Sequence, residues 1–297
     1  MHQTRSLTTT QCQLIMMHFH ASMVPSTDQT ILFRAKINGS VMTLYRTGKL
    51  LVQGSTINSI IREVDLLLGA ASESPQVTIS VNPNQTILGT DEVGTGDYFG
   101  PIVVCGSIVT PQDVPLLKSL GVKDSKKLTD DAISRMAPSL MKQLKYNAII
   151  LSNERFNQAM KQPAMNMNKI KAICHNKVIN NLKAKGYSYD AIVVDAFTPQ
   201  ERYFQYLKDQ PLIARDAILI EKAEDLYYAV GSSSIIARYL FLNALADLSS
   251  SCGYELPKGA GAKVDEMIRK IVEDGNQTIL TKIAKTTFKN TNKALEK

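Results

Sequence analysis

Residues 86–109 read TILGTDEVGTGDYFGPIVVCGSIV, two apolar runs joined by a loop with glycines at 94, 96 and 100. The first run, TILGTD at 86–91, ends in an acid, and the second, IVVCGSIV, fills 102–109. Apolar runs of this length without polar alternation suit strands buried on both faces. Three more follow, AIIL at 148–151, AIVVD at 191–195 and AILI at 217–220. Helical stretches lie between and after them, near 129–145, 167–185, 199–208 and 233–249. Strands alternating with helices predict an α/β domain whose sheet carries helices on both faces.

Upstream the pattern differs. A helix is expected from Thr8 to Met23, followed by the strand-like runs ILFRAKI and VMTLYRTGKLLVQG, with turns at Asn38-Gly39 and around Gly48. A short helix, INSIIREVDLLL, places Ile57, Ile60, Ile61, Val64 and Leu68 in helical spacing. GAASESP at 69–75 is small, polar and proline-terminated, as linkers are. The expected organisation is a small α+β domain over residues 1–75 and a larger α/β domain over 76–297, without internal repeats.

Composition narrows the class. Hydrophobic residues make up 44% and charged residues 21% of the 297, with a mean hydropathy of -0.09. No stretch approaches the roughly 18 apolar residues of a bilayer span, and MHQTRSLTTTQCQLIMMHFH lacks the apolar core of a signal peptide. Cys12, Cys105, Cys174 and Cys252 form no CxxC pair, which suits reduced cytoplasmic thiols and argues against a zinc knuckle. The expectation is a cytoplasmic monomer with no membrane partner. A net charge of +7 and a pI of about 9.1 fit a polyanionic partner, although they also fit an ordinary soluble surface.

The chemistry sits in acids. Asp91 closes the first strand and Asp195 closes AIVVD, and ligands of open α/β sheets gather beyond strand ends. Glu224 and Asp225, in KAEDLYY, form a third acidic place just ahead of SSSIIARYLFL, a helix that Ser232, Ser233 and Ser234 are expected to cap. Glu92 follows Asp91, and strand neighbours face opposite ways, so both serve one site only where the strand bends. Gly94 and Gly96 supply freedom for that bend. Four carboxylates together repel, and divalent cations remove the repulsion. Hard oxygen donors suit magnesium, and two such ions about 4 Å apart serve phosphodiester hydrolysis by activating water and stabilising the leaving oxygen. A single strand-end acid is equally well explained by helix capping or a lysine partner; four together are not.

Other motifs fit less well. The glycine loop is spaced GxGxxxG, lacks a following GK[ST] and has acids before it, so it does not cradle a nucleotide phosphate. His18 and His20 are wrongly spaced for one helical face, and with four histidines in all a histidine metal site is not expected. No histidine adjoins the serine cluster to activate a nucleophile.

At this point GTDEVGTGDYFGPIVV, VKDSKKLTD, NKIKAICHN, VVDAFTP, KAEDLYYAVGSSSIIAR and LPKGAGAKVD together resemble the bacterial ribonuclease HIII family, over roughly residues 88–290. Related type II enzymes carry GRG where this chain has Gly94-Thr95-Gly96. The resemblance implies an RNase H-like mixed sheet flanked by helices, hydrolysis of the RNA strand of RNA–DNA hybrids to 5′-phosphate ends, and Mg2+ or Mn2+. It also implies Asp91, Glu92, Asp195 and Glu224 as metal-binding catalytic acids. Asp225 remains an alternative for the fourth, since related type II enzymes place an aspartate there. TLYRTGKLLVQG is similar to the family's TBP-like substrate-binding domain.

Hybrids offer phosphates and 2′-hydroxyls. Main-chain amides at Gly94, Thr95 and Gly96 can approach a minor groove, and Lys126, Lys127 and Lys258 can neutralise phosphates, although solvated lysine is an equal reading. A non-catalytic hybrid binder and a two-metal DNA nuclease of the same superfamily are the rival readings. Near the C-terminus, Lys282, Lys285, Lys289, Lys293 and Lys297 are spaced for one face of a helix, either as a phosphate-tracking stripe or as a solvated face.

Overall fold

The computed structural model describes residues 2–54, 56–68, 81–122 and 128–295, and the chain divides into two compact units, Met1–Ser80 and Val81–Lys297. The expected boundary after residue 75, and the GAASESP linker with it, lie outside the described residues.

In the first unit, β1 (His2–Ser6), β2 (Ile31–Ile37), β3 (Ser40–Tyr45) and β4 (Lys49–Gly54) form an antiparallel sheet in the order β1-β4-β3-β2. Asn38 and Gly39 turn β2 into β3 with φ of 45° and 81°, the left-handed pair that a two-residue hairpin requires. Alternate residues Met42, Leu44, Leu50 and Val52 are fully buried with Ile15 of α1 (Thr9–His18) and Val64 of α2 (Ile57–Leu67). Each such burial contributes roughly 1.5–3 kcal/mol. Two expectations change. Helix α1 starts in a capping box between Thr8 and Gln11 but closes at Phe19, and Met23 already pairs with Ala35. Strand β1 has no counterpart in the sequence reading, because HQTRS shows no apolar alternation; main-chain pairing with β4 holds it at the sheet edge.

The second unit holds β5 (Ile87–Val93), β6 (Ile102–Val109), β7 (Lys145–Leu151), β8 (Ala191–Asp195) and β9 (Ala217–Ile220) in the order β7-β6-β5-β8-β9. β7, β6 and β5 are antiparallel, whereas β5, β8 and β9 run parallel. The helices are α3 (Val114–Ser119), α4 (Asp130–Gln143), α5 (Asn153–Met160), α6 (Met167–Ala184), α7 (Gln200–Tyr206), α8 (Ala223–Leu226), α9 (Tyr228–Cys252), α10 (Ala262–Glu273), α11 (Leu280–Ile283) and α12 (Lys289–Leu295). Strand alternation splits the core. Ile87, Val103, Cys105 and Val193 pack in one cluster with α4, α9 and α10, while Leu88, Val104, Ile192 and Val194 pack in another with α6.

Helix α9 lies almost on the backbone of β5. A Cβ on Gly89 would stand 2.4 Å from the Val230 nitrogen and 2.5 Å from the Ala229 carbonyl carbon. Ser233 Oγ donates to the Gly89 carbonyl at 2.8 Å, and Ser107 Oγ donates to the Ala229 carbonyl at 2.9 Å. The serines are therefore not an N-cap: α9 begins at Tyr228, and Ser232 and Ser233 are buried inside it because the close approach admits only small side chains. At 25 residues, α9 is also long and apolar enough to cross a bilayer, contrary to the sequence expectation. More than half of its apolar window is buried within the unit (56%), so this apolarity serves the core.

Candidate metal centre

Strands β5 and β8 pair only as far as Thr90 and Val194. Asp91 and Asp195 follow those residues directly; β8 ends at Asp195, whereas β5 runs on beside β6 to Val93, so Asp91 does not close its strand as expected. Asp91 is in step with Ile87 and Asp195 with Val193, so both face α9; Glu92 is in step with Leu88 and faces α6. β5 keeps its register with β6 through Val93 and Val103, so the chain does not bend between Asp91 and Glu92. The charges of Glu92 and Asp195 both reach Asp91, just past the point where β8 stops pairing with β5. The left-handed turn comes later, at Gly94 with φ 93°.

Glu224 arrives on α8. Lys222 holds a left-handed φ of 55°, which swings the chain off β9 so that the Ala223 N–H donates to Asp195 Oδ1 at 2.8 Å. Glu224 is buried and hydrogen-bonded to Asp195, whereas Asp225 is exposed. A bond between two carboxyl groups needs a shared proton. Burial, with Glu224 beside it, accordingly pushes Asp195 up to about 7. Burial and the charges of Glu92 and Asp195 hold Asp91 well above the usual carboxylate range, although Ser234 donates a hydrogen bond to it. Among the described residues, no group of three or more His, Cys, Asp or Glu side chains stands close enough together to hold a metal ion as the side chains are placed. The donor set nonetheless suits a hard divalent cation, because its burial and mutual repulsion are what such a charge relieves.

Glu92 behaves differently. Burial works against its charge, but His175 and Lys171 hold it below the usual range. His175 Nε2 lies 2.8 Å from Glu92 Oε2, and Lys171 Nζ is ion-paired with Oε1. The His175 ring is wholly buried, its Nδ1 is 2.8 Å from Thr90 Oγ1, and it stacks on Phe197, which also lies 4.0 Å beneath Lys171 Nζ. The sequence reading gave these residues no role. A signal was present: 171, 175, 178 and 182 share one face of α6, apolar at Val178 and Leu182 and polar only at the end nearest the acids.

The remaining expected contacts divide. Gly94 faces inward, where a Cβ would stand 2.2 Å from the Pro101 carbonyl oxygen, while Gly96 is open on all sides. The Asp97 carboxylate accepts from the Gly259 N–H at 2.6 Å, and the Tyr98 N–H donates to the Gly259 carbonyl at 2.8 Å, which brings Lys258 beside Gly94-Thr95-Gly96. Lys258 is ion-paired with Asp130, which also binds Arg238 at 2.6 Å. Lys126 and Lys127 lie outside the described residues. Lys297 lies outside the described residues, and the other four lysines of the expected stripe do not share one helix face. Lys285 is fully buried between α11 and α12, with Nζ donating to the carbonyls of Asp97 at 2.8 Å and Gly100 at 2.5 Å, and Lys293 is ion-paired with Asp265. The four cysteines are free thiols.

Comparison with known proteins bears on the family and the fold. A family model for ribonuclease HII matches residues 88–291, and one for a domain of unknown function, DUF3378, matches residues 4–63. Ribonuclease HIII of Geobacillus sp. (strain WCH70) is 38% identical over 294 residues, covering 97% of this chain and 95% of that protein. Ribonuclease HIII of Streptococcus agalactiae serotype Ia is 40% identical over 266 residues, covering 89% and 88%. The crystal structure of Bst-RNase HIII in complex with Mn2+ superposes with a TM-score of 0.70 at 34% identity, covering 99% of this chain and 98% of that one.

Proposed function

The chain belongs to the ribonuclease HIII family, a type 2 ribonuclease H with an N-terminal DUF3378 domain, and on that footing we propose that it hydrolyses the RNA strand of RNA–DNA hybrids to 5′-phosphate and 3′-hydroxyl ends. Asp91, Glu92, Asp195 and Glu224 are the acids that hold two divalent ions, Mg2+ or Mn2+. When bound, such ions lower the pKa of a water nucleophile and offset charge on the scissile phosphate and leaving oxygen. The chain's own part is positional. Asp91 is fixed within β5 and Asp195 at the end of β8, Ala223 N–H orients Asp195, and α8 brings in Glu224.

The mutual effect of these acids, with burial and their neighbours' charges raising both Asp91 and Asp195, is the observation that supports the reading. Clustered carboxylates repel phosphate unless metal is bound, so a protein that only bound hybrids has no use for them. Gly96, open on all sides, lets main chain reach the groove where the 2′-hydroxyl distinguishes RNA. Lys258 and the basic balance of the chain supply phosphate attraction, and the N-terminal domain adds affinity for the hybrid.

The test is cleavage of a labelled RNA strand in RNA–DNA hybrid, beside single-stranded RNA, duplex DNA and a lone ribonucleotide in duplex DNA, with and without Mg2+. The reading expects metal-dependent cutting that is efficient on the hybrid, slow at the lone ribonucleotide because Thr95 offers no charged donor there, and absent on single-stranded RNA and duplex DNA. Equal cutting of duplex DNA, or metal-independent cutting, would overturn it.

A further inference from the structure

Three of the four acids are placed by backbone: Asp91 within β5, Asp195 at the end of β8 and Glu224 after a tight turn. Glu92 is not. Its Cα lies on β5, but its side chain leaves the sheet on the opposite face from Asp91, towards α6. A glutamate at a strand end has several rotatable bonds and no reason of its own to stay near the other three.

We propose that Lys171 and His175 are positioning residues that fix Glu92 as a metal ligand from the α6 side of the sheet, with Phe197 as their common platform. This rests on the acidic cluster being a metal site. Both carboxylate oxygens are engaged, Oε1 by the Lys171 ammonium and Oε2 by His175 Nε2 at 2.8 Å. A carboxylate only accepts, so Nε2 carries the hydrogen, and the bond from Nδ1 to Thr90 Oγ1 at 2.8 Å fixes the other end of the ring. Thr90 precedes Asp91, so the clamp is anchored on the strand that bears the acids. Phe197, two residues after Asp195, stacks on the His175 ring at 5.4 Å and lies under Lys171 at 4.0 Å. The clamp therefore touches both acid-bearing strand ends. Each carboxylate oxygen accepts in two directions, so one contact per oxygen leaves the opposite side of each available to a cation. Partners that orient ligating carboxylates in this way typically change metal affinity by about 10- to 100-fold when removed.

The experiment is calorimetric titration of metal-stripped, full-length protein with Mn2+, without substrate, with thermal unfolding of the same samples. His175→Phe and Lys171→Met should weaken Mn2+ binding by about 10- to 100-fold, and His175→Gln and Lys171→Arg should recover most of it. Residues that merely packed would lower the melting temperature and leave Mn2+ affinity unchanged, which would overturn the proposal. Deleting a cation from an acidic site would by charge alone tighten Mn2+ binding. Tighter binding in Lys171→Met would mark Lys171 as a counter-charge only and overturn its positioning role. A wild-type protein that bound no Mn2+ would overturn the acidic site and the clamp together, whereas wild-type binding with unaltered variants would overturn the clamp alone.

Discussion

On one side of the five-stranded sheet, β5 meets α9 through Gly89 and Ser233, with hardly any side chain between the two backbones. On the other side β5 and its neighbour β6 meet α6 across Val178 and Leu182, and β5 then meets it across a buried lysine and a buried histidine. The α9 contact sets where the backbone carrying Asp91 lies, with no slack to adjust. The α6 contact is made of side chains, which can shift, and it governs one carboxylate rather than the whole strand. Placement is thus rigid on the face holding Asp91 and Asp195 and tunable on the face holding Glu92.

The largest effect that could break this contrast is on turnover. Asp195→Asn and Glu224→Gln should each lower cleavage by orders of magnitude in folded protein, while Asp225→Asn, at an exposed position, should stay near wild type. Single-turnover cleavage with circular dichroism of the same samples checks this, and the reverse ranking of Glu224 and Asp225 would move the site by one residue. Asp195 carries a pH signature as well. Its folded pKa of about 7 lies above the unfolded value of about 3.9. The folded state then holds the proton more tightly, so metal-free protein should lose stability as pH rises from about 4 to about 7, and Asp195→Asn should flatten that decline.

Next comes a pair of glycines on opposite faces. At Gly89 an added methyl meets backbone atoms 2.4–2.5 Å away, whereas at Gly106 it meets side chains, Val178 Cγ1 at 2.6 Å and Thr90 Cγ2 at 3.0 Å. Gly89→Ala should cost about 3 kcal/mol or more, and Gly106→Ala about 1 kcal/mol as those side chains shift. Chemical denaturation measures both, and equal costs would erase the difference between the faces.

Much of this was legible in the sequence. Uninterrupted apolar runs located β6, β8 and β9 to the residue and put Asp195 at the end of its strand, whereas β5 runs two residues past Asp91. Periodicity failed where a residue's partner is remote. Lys282, Lys285, Lys289 and Lys293 have helical spacing, yet α11 ends at Ile283 and Lys285 turns inward to hold the loop that carries Gly94-Thr95-Gly96. Spacing alone cannot show that two carbonyls from a segment far back in the chain await an ammonium group. The role of His175 was hidden for the same reason, since its partners Thr90 and Glu92 lie on another element.

Lys285 supplies an effect of similar size and opposite sign to that of Asp195. Burial pushes its pKa down to about 7 in the folded protein, against about 10.4 when unfolded. The unfolded chain binds more protons between those values, so this lysine should make stability rise as pH increases from about 7 to about 10. Thermal melts of wild type and Lys285→Met across that range should differ in slope; parallel curves would contradict the burial. The smallest effect belongs to the dismantled stripe. Lys282 and Lys289 are exposed, and changing both to glutamine should alter stability by less than about 0.5 kcal/mol. It should also leave the salt dependence of hybrid binding unchanged. A salt slope flattened by about 0.9 per lysine would restore them as phosphate contacts.

The most direct measurement is the anomalous scattering of Mn2+ in crystals of the full-length protein. The account predicts two manganese peaks held between Asp91 and Asp195 on one face of the sheet, Glu92 on the other and Glu224 from α8. Peaks at other side chains, or strong hybrid cleavage in crystals-grade protein whose manganese never touches these four carboxylates, would contradict it.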